Sequence, residues 1–328
     1  MKYDVRAIFV GLPFHLLLPL VSAIVYVVAA LLLKRASDLG ADIWRSTRII
    51  NFTQALMAMP VWMLGGTIHP LSLWWQPAVA GLLFFAGQVF TLLALTTGDV
   101  SVATPVLGVK ILLVALLTTV LIGDPIGAQL WTAAALSSVA IGLLNVSPGQ
   151  SHRRVGTTIL LAGLGAAGYA SFDVLVQKFS PAWGTGRFLP LAMACGALYT
   201  LALPRARGAN SSSDPVRSAD LQVGPVGPVG QAGPHPSRLY TPWIAAGAVG
   251  FALQGLMFMS AISIYRQATS ANVLYSSRGL WSVVAVWAIG HWFSNREQHL
   301  GARVLVWRFV GAILLMAAIV MVLLNYER

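Results

Sequence analysis

The sequence predicts an all-α membrane protein with ten transmembrane helices in two inverted five-helix repeats. Three observations support this fold class: an apolar composition, ten apolar segments of spanning length, and two cations at equivalent places in an internal repeat. The chain has 328 residues, of which 57% are hydrophobic and only 9% are charged. A soluble domain needs more charged surface than this, so the composition indicates a multi-pass membrane protein.

Ten segments approach the roughly 20 apolar residues that a spanning helix needs. The first follows Lys2 and Arg6 and contains a Val21-Ser22-Ala23 sequence that looks like a signal-peptide cleavage site. Because its apolar run continues to Leu33, we interpret it as a membrane helix and not as a signal peptide. The predicted spans are 13–33, 49–66, 74–97, 101–122, 127–146, 157–178, 187–204, 242–264, 269–293 and 304–325.

An internal repeat relates the two halves of the chain. A shift of 168 positions superimposes Lys110, in the middle of the fourth span, on Arg278, in the middle of the ninth. The same shift aligns Gly87 with Gly255, Phe90 with Phe258, and Ala103 with Ala271. Five spans per repeat would insert the second copy in the opposite orientation, the arrangement of many secondary transporters.

The predicted domains are a first repeat at 1–147 and a second repeat at 157–328. The second repeat contains an insertion at 205–240 that is rich in Gly, Pro and Ser. Such a composition buries little apolar surface, so we expect a disordered loop. Whether it only connects helices or also recruits a partner is left open.

Lys110 and Arg278 are the first candidates for binding. A charge at the centre of a bilayer costs about 2.5–3.5 kcal/mol on insertion scales, so such charges usually serve a function. Pro105 precedes Lys110 by five residues and would free a backbone carbonyl, as in the broken helices of transporters. Two equivalent cations therefore predict a site for an anion on a pseudo-two-fold axis.

Polar residues accompany Arg278 along one face of the ninth span. At about 100° per residue, Asn272, Tyr275, Gly279 and Ser282 lie on the same third of the helix as Arg278. This stripe predicts either a cavity lining or a network of hydrogen bonds between helices. Gln88 and Gln254, on the third and eighth spans, could bind a solute or join helices.

Asp173 is the only carboxylate well inside a predicted span, and Tyr169 lies one turn before it. An intramembrane carboxylate can carry a proton, or it can be the counter-ion of Lys110 or Arg278. Both roles remain open at this stage.

Several classes of function are not supported by the sequence. The net charge of +11 comes without a basic stripe interleaved with aromatics, so it fits loops beside anionic lipids better than nucleic-acid binding. Cys195 is the single cysteine, and the histidines lack ligand spacing, so we predict no metal site, cofactor or catalytic residue, and no enzyme.

Three sequences resemble the second half of an EamA-type repeat of the drug/metabolite transporter superfamily: 97–105 (TGDVSVATP), 121–125 (LIGDP) and 141–144 (IGLL). The resemblance implies a carrier or exporter of small metabolites with a central cavity, and cytoplasmic termini. The count of Lys and Arg in the loops favours the opposite orientation under the positive-inside rule.

We therefore expect a secondary transporter in the cell (inner) membrane that moves a small, anionic organic metabolite by alternating access. The alternatives are a proton-coupled exporter of neutral or cationic compounds and a non-transporting scaffold or receptor. The expected partners are a small-molecule substrate, the lipid bilayer and, for the exporter, protons; a homodimer is left open. The predicted substrate-binding residues are Lys110, Arg278, Asn272, Tyr275, Ser282, Gln88 and Gln254, with Asp173 and Tyr169 for proton coupling or charge balance.

Overall fold

A computed structural model describes residues 14–97, 100–144, 155–203, 237–289 and 302–326. Within these ranges the chain is helical and has no strand. The helices are α1 (Phe14–Asp38), α2 (Ile43–Ala58), α3 (Trp75–Thr97), α4 (Val100–Gly108), α5 (Lys110–Leu117), α6 (Ala128–Leu144), α7 (Val155–Trp183), α8 (Thr185–Tyr199), α9 (Ser237–Tyr265), α10 (Ala268–Tyr275), α11 (Arg278–Ile289) and α12 (Ala302–Tyr326).

The described residues have the helix content and the apolar helices of an all-α membrane protein. Six helical runs in the described ranges are long and apolar enough to cross a bilayer. They are Leu16–Asp38, Leu71–Thr96, Val102–Ile122, Val155–Trp183, Leu239–Tyr265 and Val306–Leu324. The predicted disordered insertion lies outside the described residues except at its end, where the prediction is wrong because α9 already begins at Ser237.

Two predicted spans are not continuous helices. The segment 101–122 divides into α4 and α5 at Val109, whose N–H bonds back three residues to the Val106 carbonyl, four residues after Pro105. The segment 269–293 divides into α10 and α11, where the Ser276 hydroxyl donates to the Val273 carbonyl. Serine hydroxyls compete for helical carbonyls in this way, so the prediction of one helix over 269–293 is wrong.

The helices pack in pairs that join the two halves of the chain. Helix α1 packs along α9, α3 along α7, and α6 along α12, while α2 contacts both α8 and α9. Helix α7 also contacts α4 and α5, so its middle is surrounded by helices from both halves. Asp173 and Tyr169 lie in this central part of α7.

Glycines set the close approach of α3 and α7. A Cβ at Gly168 would lie 2.8 Å from the Gly87 Cα and 3.0 Å from the Leu83 carbonyl oxygen. Backbone atoms cannot move aside as a flexible side chain can, so the α3–α7 distance depends on the missing Cβ. This contact also positions Tyr169, the next residue along α7.

We expect Gly168→Ala to lower the free energy of unfolding by about 1–3 kcal/mol, the usual cost of overpacking. Gly163→Ala is the matched control, because it lies on the same helix and a Cβ there meets nothing within 4 Å. The control should be neutral or slightly stabilising, since alanine favours helix. Thermal unfolding in detergent measures both, and equal effects would contradict the packing argument.

Candidate functional site

A cavity of about 430 Å³ lies between the two halves of the bundle. It is lined by the end of α1 and the start of α2, including Ser37 and Ser46, and by the last residue of α6, Leu144. These residues share one end of the bundle, which we call the α1–α2 end. The cavity therefore extends from the centre of the bundle toward that end.

The innermost charges form an ion pair. Lys110 Nζ lies 2.8 Å from Asp173 Oδ2, and the Asp173 side chain is 1% exposed while that of Lys110 is 17% exposed. The break after Val109 makes Lys110 the first residue of α5, where it can reach α7. Of the two counter-ion assignments left open above, the structure pairs Asp173 with Lys110.

Asn272, which lies next to the cavity but does not line it, donates a hydrogen bond to the carboxylate of this ion pair. Its side-chain amide donates to Asp173 Oδ2 at 2.8 Å and to the Ala268 carbonyl at 2.9 Å. Asn272 is buried and does not line the cavity. Asn272 therefore positions Asp173, and it does not line the space that a solute in the cavity would occupy.

Arg278 is held by aromatic rings and not by a carboxylate. It is the first residue of α11, and its guanidinium carbon lies 4.9 Å from the centre of the Tyr26 ring and 4.8 Å from that of Tyr275. No carboxylate among the described residues pairs with it. Cation–π contacts stabilise the charge without cancelling it, so Arg278 gives the cavity an uncompensated positive charge.

Aromatic side chains separate the two cations. Lys110 Nζ lies 5.7 Å from the Tyr169 ring centre and 5.5 Å from the Phe258 ring centre. The rings of Phe258 and Tyr275 contact each other with centroids 4.5 Å apart. The site is therefore a wall of aromatic rings with a cation at each side.

The two predicted glutamines take part in contacts between helices. Gln88 Oε1 accepts a 2.6 Å hydrogen bond from the Asn51 amide, and Gln254 Oε1 accepts a 3.0 Å bond from the Tyr275 hydroxyl. Both also line the cavity. Each glutamine keeps amide hydrogens that could meet a solute.

The structure brings most of the predicted site together. Eight of the nine predicted residues line the cavity, and Asn272 lies just beneath it. Tyr26 and Phe258, which we did not predict, complete the aromatic wall. The repeat gave a signal for Phe258, which aligns with Phe90 under the 168-residue shift, whereas Tyr26 and Tyr169 do not align under that shift.

The described residues contain no cluster of three or more His, Cys, Asp or Glu side chains that could hold a metal ion. What the cavity offers is charge, hydrogen-bond donors and aromatic surface.

Comparisons with known proteins identify the fold and not the function. No family model matches the chain, and no curated protein matches it. A solved structure described as "Crystal structure of protein" matches with 16% sequence identity and a TM-score of 0.64, over 96% of this chain and 98% of the other. At that identity the likeness shows that the two chains share a fold over almost their whole length.

Proposed function

We propose that the protein is a secondary transporter of a small organic anion. The observation that carries this proposal is the uncompensated Arg278 in a 430 Å³ cavity inside a membrane bundle. The volume falls in the range of small-molecule sites. Since a buried charge in a membrane is costly unless it has a use, an anion arriving from water is the natural partner of Arg278.

Two features support ten spans in two inverted repeats. The breaks in the fourth and ninth predicted spans fall at equivalent places, so that Lys110 and Arg278 each begin the second half of a broken helix. The packing pairs are also those that a pseudo-two-fold relation between the repeats would require, because it would turn the α1–α9 pair into the α7–α3 pair and the α6–α12 pair into itself. Broken helices at the midplane are where repeat transporters bind their substrates.

Alternating access is supported by the difference between the two ends of the bundle. The cavity reaches the α1–α2 end, whereas the opposite end is held together by backbone and aromatic contacts. There Arg187 donates to the Trp62 carbonyl at 3.1 Å with its guanidinium carbon 4.2 Å from the Trp62 ring centre, and the Thr67 N–H donates to the Trp183 carbonyl at 2.8 Å. Rocking of the repeats would open this end and close the other.

An anion fits the site better than a cation. A cationic substrate would need a free carboxylate, but the charge of Asp173 is already neutralised by Lys110, and the Asn272 amide donates a hydrogen bond to the same carboxylate. The aromatic wall favours an anion with an apolar or aromatic body, because the rings offer apolar surface beside one uncompensated charge. This disfavours a cationic substrate for the proton-coupled exporter of neutral or cationic compounds that we considered as an alternative. The three EamA-like sequences fit membership of the drug/metabolite transporter superfamily and a location in the cell membrane.

We expect hippurate, an aromatic monocarboxylate, to raise the melting temperature of the detergent-purified protein, and its neutral amide, hippuramide, to have little effect. A ligand that binds only the folded state stabilises it, by about 2.7 kcal/mol at a concentration of 100 Kd. The two compounds differ in charge and hardly in shape, so the difference isolates the anion. Equal shifts from both, or none from either, would contradict an anion site with aromatic walls.

A further inference from the structure

A second pocket of about 270 Å³ lies at the opposite end of the bundle from the main cavity. It is lined by the loop that follows α5, by Arg266 and the first turn of α10, and by Gln177 on α7. Thr118 and Thr269 also line it. We call this end, where α9 connects to α10, the α9–α10 end.

The two cavities approach each other at α7. Asp173 lines the main cavity, and Gln177, one helical turn further on, lines the second pocket. A turn of four residues is about 6 Å long. The partition between the cavities, which consists of Asp173, Gln177, Asn272, Thr118 and Thr269, is therefore thin.

Protein groups link part of this partition. Gln177 Oε1 accepts a 2.9 Å hydrogen bond from the Ala268 N–H, at the start of α10. The Ala268 carbonyl accepts from Asn272, which in turn donates to Asp173. These hydrogen bonds form a chain of polar groups from Gln177, at the second pocket, to Asp173, at the main cavity.

Three polar atoms of the partition have no hydrogen-bond partner among the described residues. They are Asp173 Oδ1, Thr118 Oγ1 and Thr269 Oγ1, and all three residues are buried. Buried polar atoms in folded proteins are bonded to the protein or to ordered water, with few exceptions. Thr118 and Thr269 line the second pocket and Asp173 lines the main cavity, so ordered water that enters the partition from the cavities is a partner available to all three atoms.

We propose that ordered water in this partition carries protons between the second pocket and Asp173, and that proton movement is thereby coupled to anion transport. The coupling rests on the proposed function. An anion that Arg278 draws into the cavity, and that also reaches Lys110, displaces the Asp173 carboxylate, which then takes one proton from the water of the α9–α10 end and becomes a neutral acid. When the anion leaves, Asp173 releases that proton into the main cavity, which Asp173 lines, and pairs with Lys110 again, so that one proton passes from the α9–α10 end to the main cavity in each cycle.

The groups around Asp173 suit this exchange. Lys110 on α5 is its cation, Tyr169 on α7 and Tyr275 on α10 are neutral phenols, and Arg278 on α11 stands beyond Tyr275. The other helices packed on α7 bring few charges: α3 and α4 have none in their sequences, and Arg187 on α8 is engaged with Trp62. Lys110 is therefore the charge whose loss would drive Asp173 to bind a proton.

A high-resolution experimental structure of the full chain without substrate tests the water directly. We expect ordered water within hydrogen-bond distance of Thr118 Oγ1, Thr269 Oγ1 and Asp173 Oδ1. A dry partition would overturn the proposal. This result does not depend on the identity of the substrate.

The double variant Thr118→Val and Thr269→Val tests the same point in solution. If the hydroxyls bond water, their loss should lower the melting temperature; if they are dry, it should rise, because a buried hydroxyl without a partner is costly. Ser137→Ala is the control, since the Ser137 hydroxyl is buried without a described partner and lines neither cavity. We expect Ser137→Ala to raise the melting temperature. If the double variant also raises the melting temperature, that result would count against the proposal.

Proton uptake on binding tests the coupling. When hippurate is added to the purified protein in weakly buffered solution, we expect about one proton to be taken up per bound anion, and none in Asp173→Asn. Binding without proton uptake by the unaltered protein would overturn the coupling and leave the transporter proposal intact. If hippurate does not bind at all, the transporter proposal fails, while the water measurements still decide the partition.

Discussion

Replacing Lys110 by Met is expected to lower the free energy of unfolding by about 3–5 kcal/mol, the typical cost of removing one partner of a buried ion pair. Asp173 is 1% exposed and would keep only the Asn272 amide as a partner. An unpaired carboxylate in this position must either stay charged in a poorly solvating site or bind a proton. Chemical or thermal unfolding in detergent gives the size of the effect.

The double variant Lys110→Met and Asp173→Leu is the control for this prediction. Replacing both partners of a buried pair by apolar residues is often neutral or stabilising, so we expect the double variant to recover most of the lost stability. If the double variant is as unstable as the single one, Lys110 contributes through packing and not through the charge of Asp173. Because an unstable variant also loses transport, the stability of each Lys110 variant has to be measured alongside its transport activity.

Arg278→Gln is expected to reduce hippurate uptake into proteoliposomes by about 10- to 100-fold. A hydrogen bond to a charged group contributes about 1.5–3 kcal/mol, and 1.4 kcal/mol corresponds to a factor of ten in affinity. Glutamine keeps part of the length and the polarity of arginine but lacks its charge. Because the guanidinium is held by Tyr26 and Tyr275 and not by a carboxylate, this change leaves no buried anion behind, and the protein should still fold.

Arg45→Gln provides the matched control for uptake. It removes the same charge from the first turn of α2, where Arg45 donates to the Tyr240 hydroxyl at 3.3 Å and does not line the cavity. Uptake by this variant should stay near that of the unaltered protein. Normal uptake by Arg278→Gln, or an equal loss in both variants, would exclude a specific anion site at Arg278.

The sequence was sufficient to locate the helices because apolar composition acts locally. Each predicted span overlaps a helix or a pair of helices, with the largest difference at α2, which begins at Ile43 and ends at Ala58 where the prediction gave 49–66. Pro105 indicated in advance that the fourth span could be interrupted, since proline lacks the N–H that a helix requires, although the break itself lies at Val109 and Pro105 is inside α4. The break at Ser276 could not be predicted from the sequence. A serine in a helix can hydrogen-bond either to a neighbouring helix or to its own backbone, and packing decides between the two.

In the candidate site, too, the sequence predicted some features and packing decided others. Lys110, Arg278 and Asp173 stand out in the sequence because charges are rare in apolar segments. Nothing in their spacing says which cation pairs with Asp173, since the three residues lie on different helices far apart in the chain. Asn272 belonged to a polar stripe that included Arg278, but the break after Tyr275 separates them, so that Asn272 meets Asp173 under the cavity.

By itself, the sequence determined an all-helical membrane chain with two cations at matching positions, because hydrophobicity and helix length are properties of contiguous residues. Only the tertiary structure decided that Lys110 is neutralised and Arg278 is not, and that Tyr26 and Phe258 complete the wall around them. The physical reason is that charge pairing and ring contacts act over a few ångströms between helices, and those distances exist only once the two halves of the bundle have packed together.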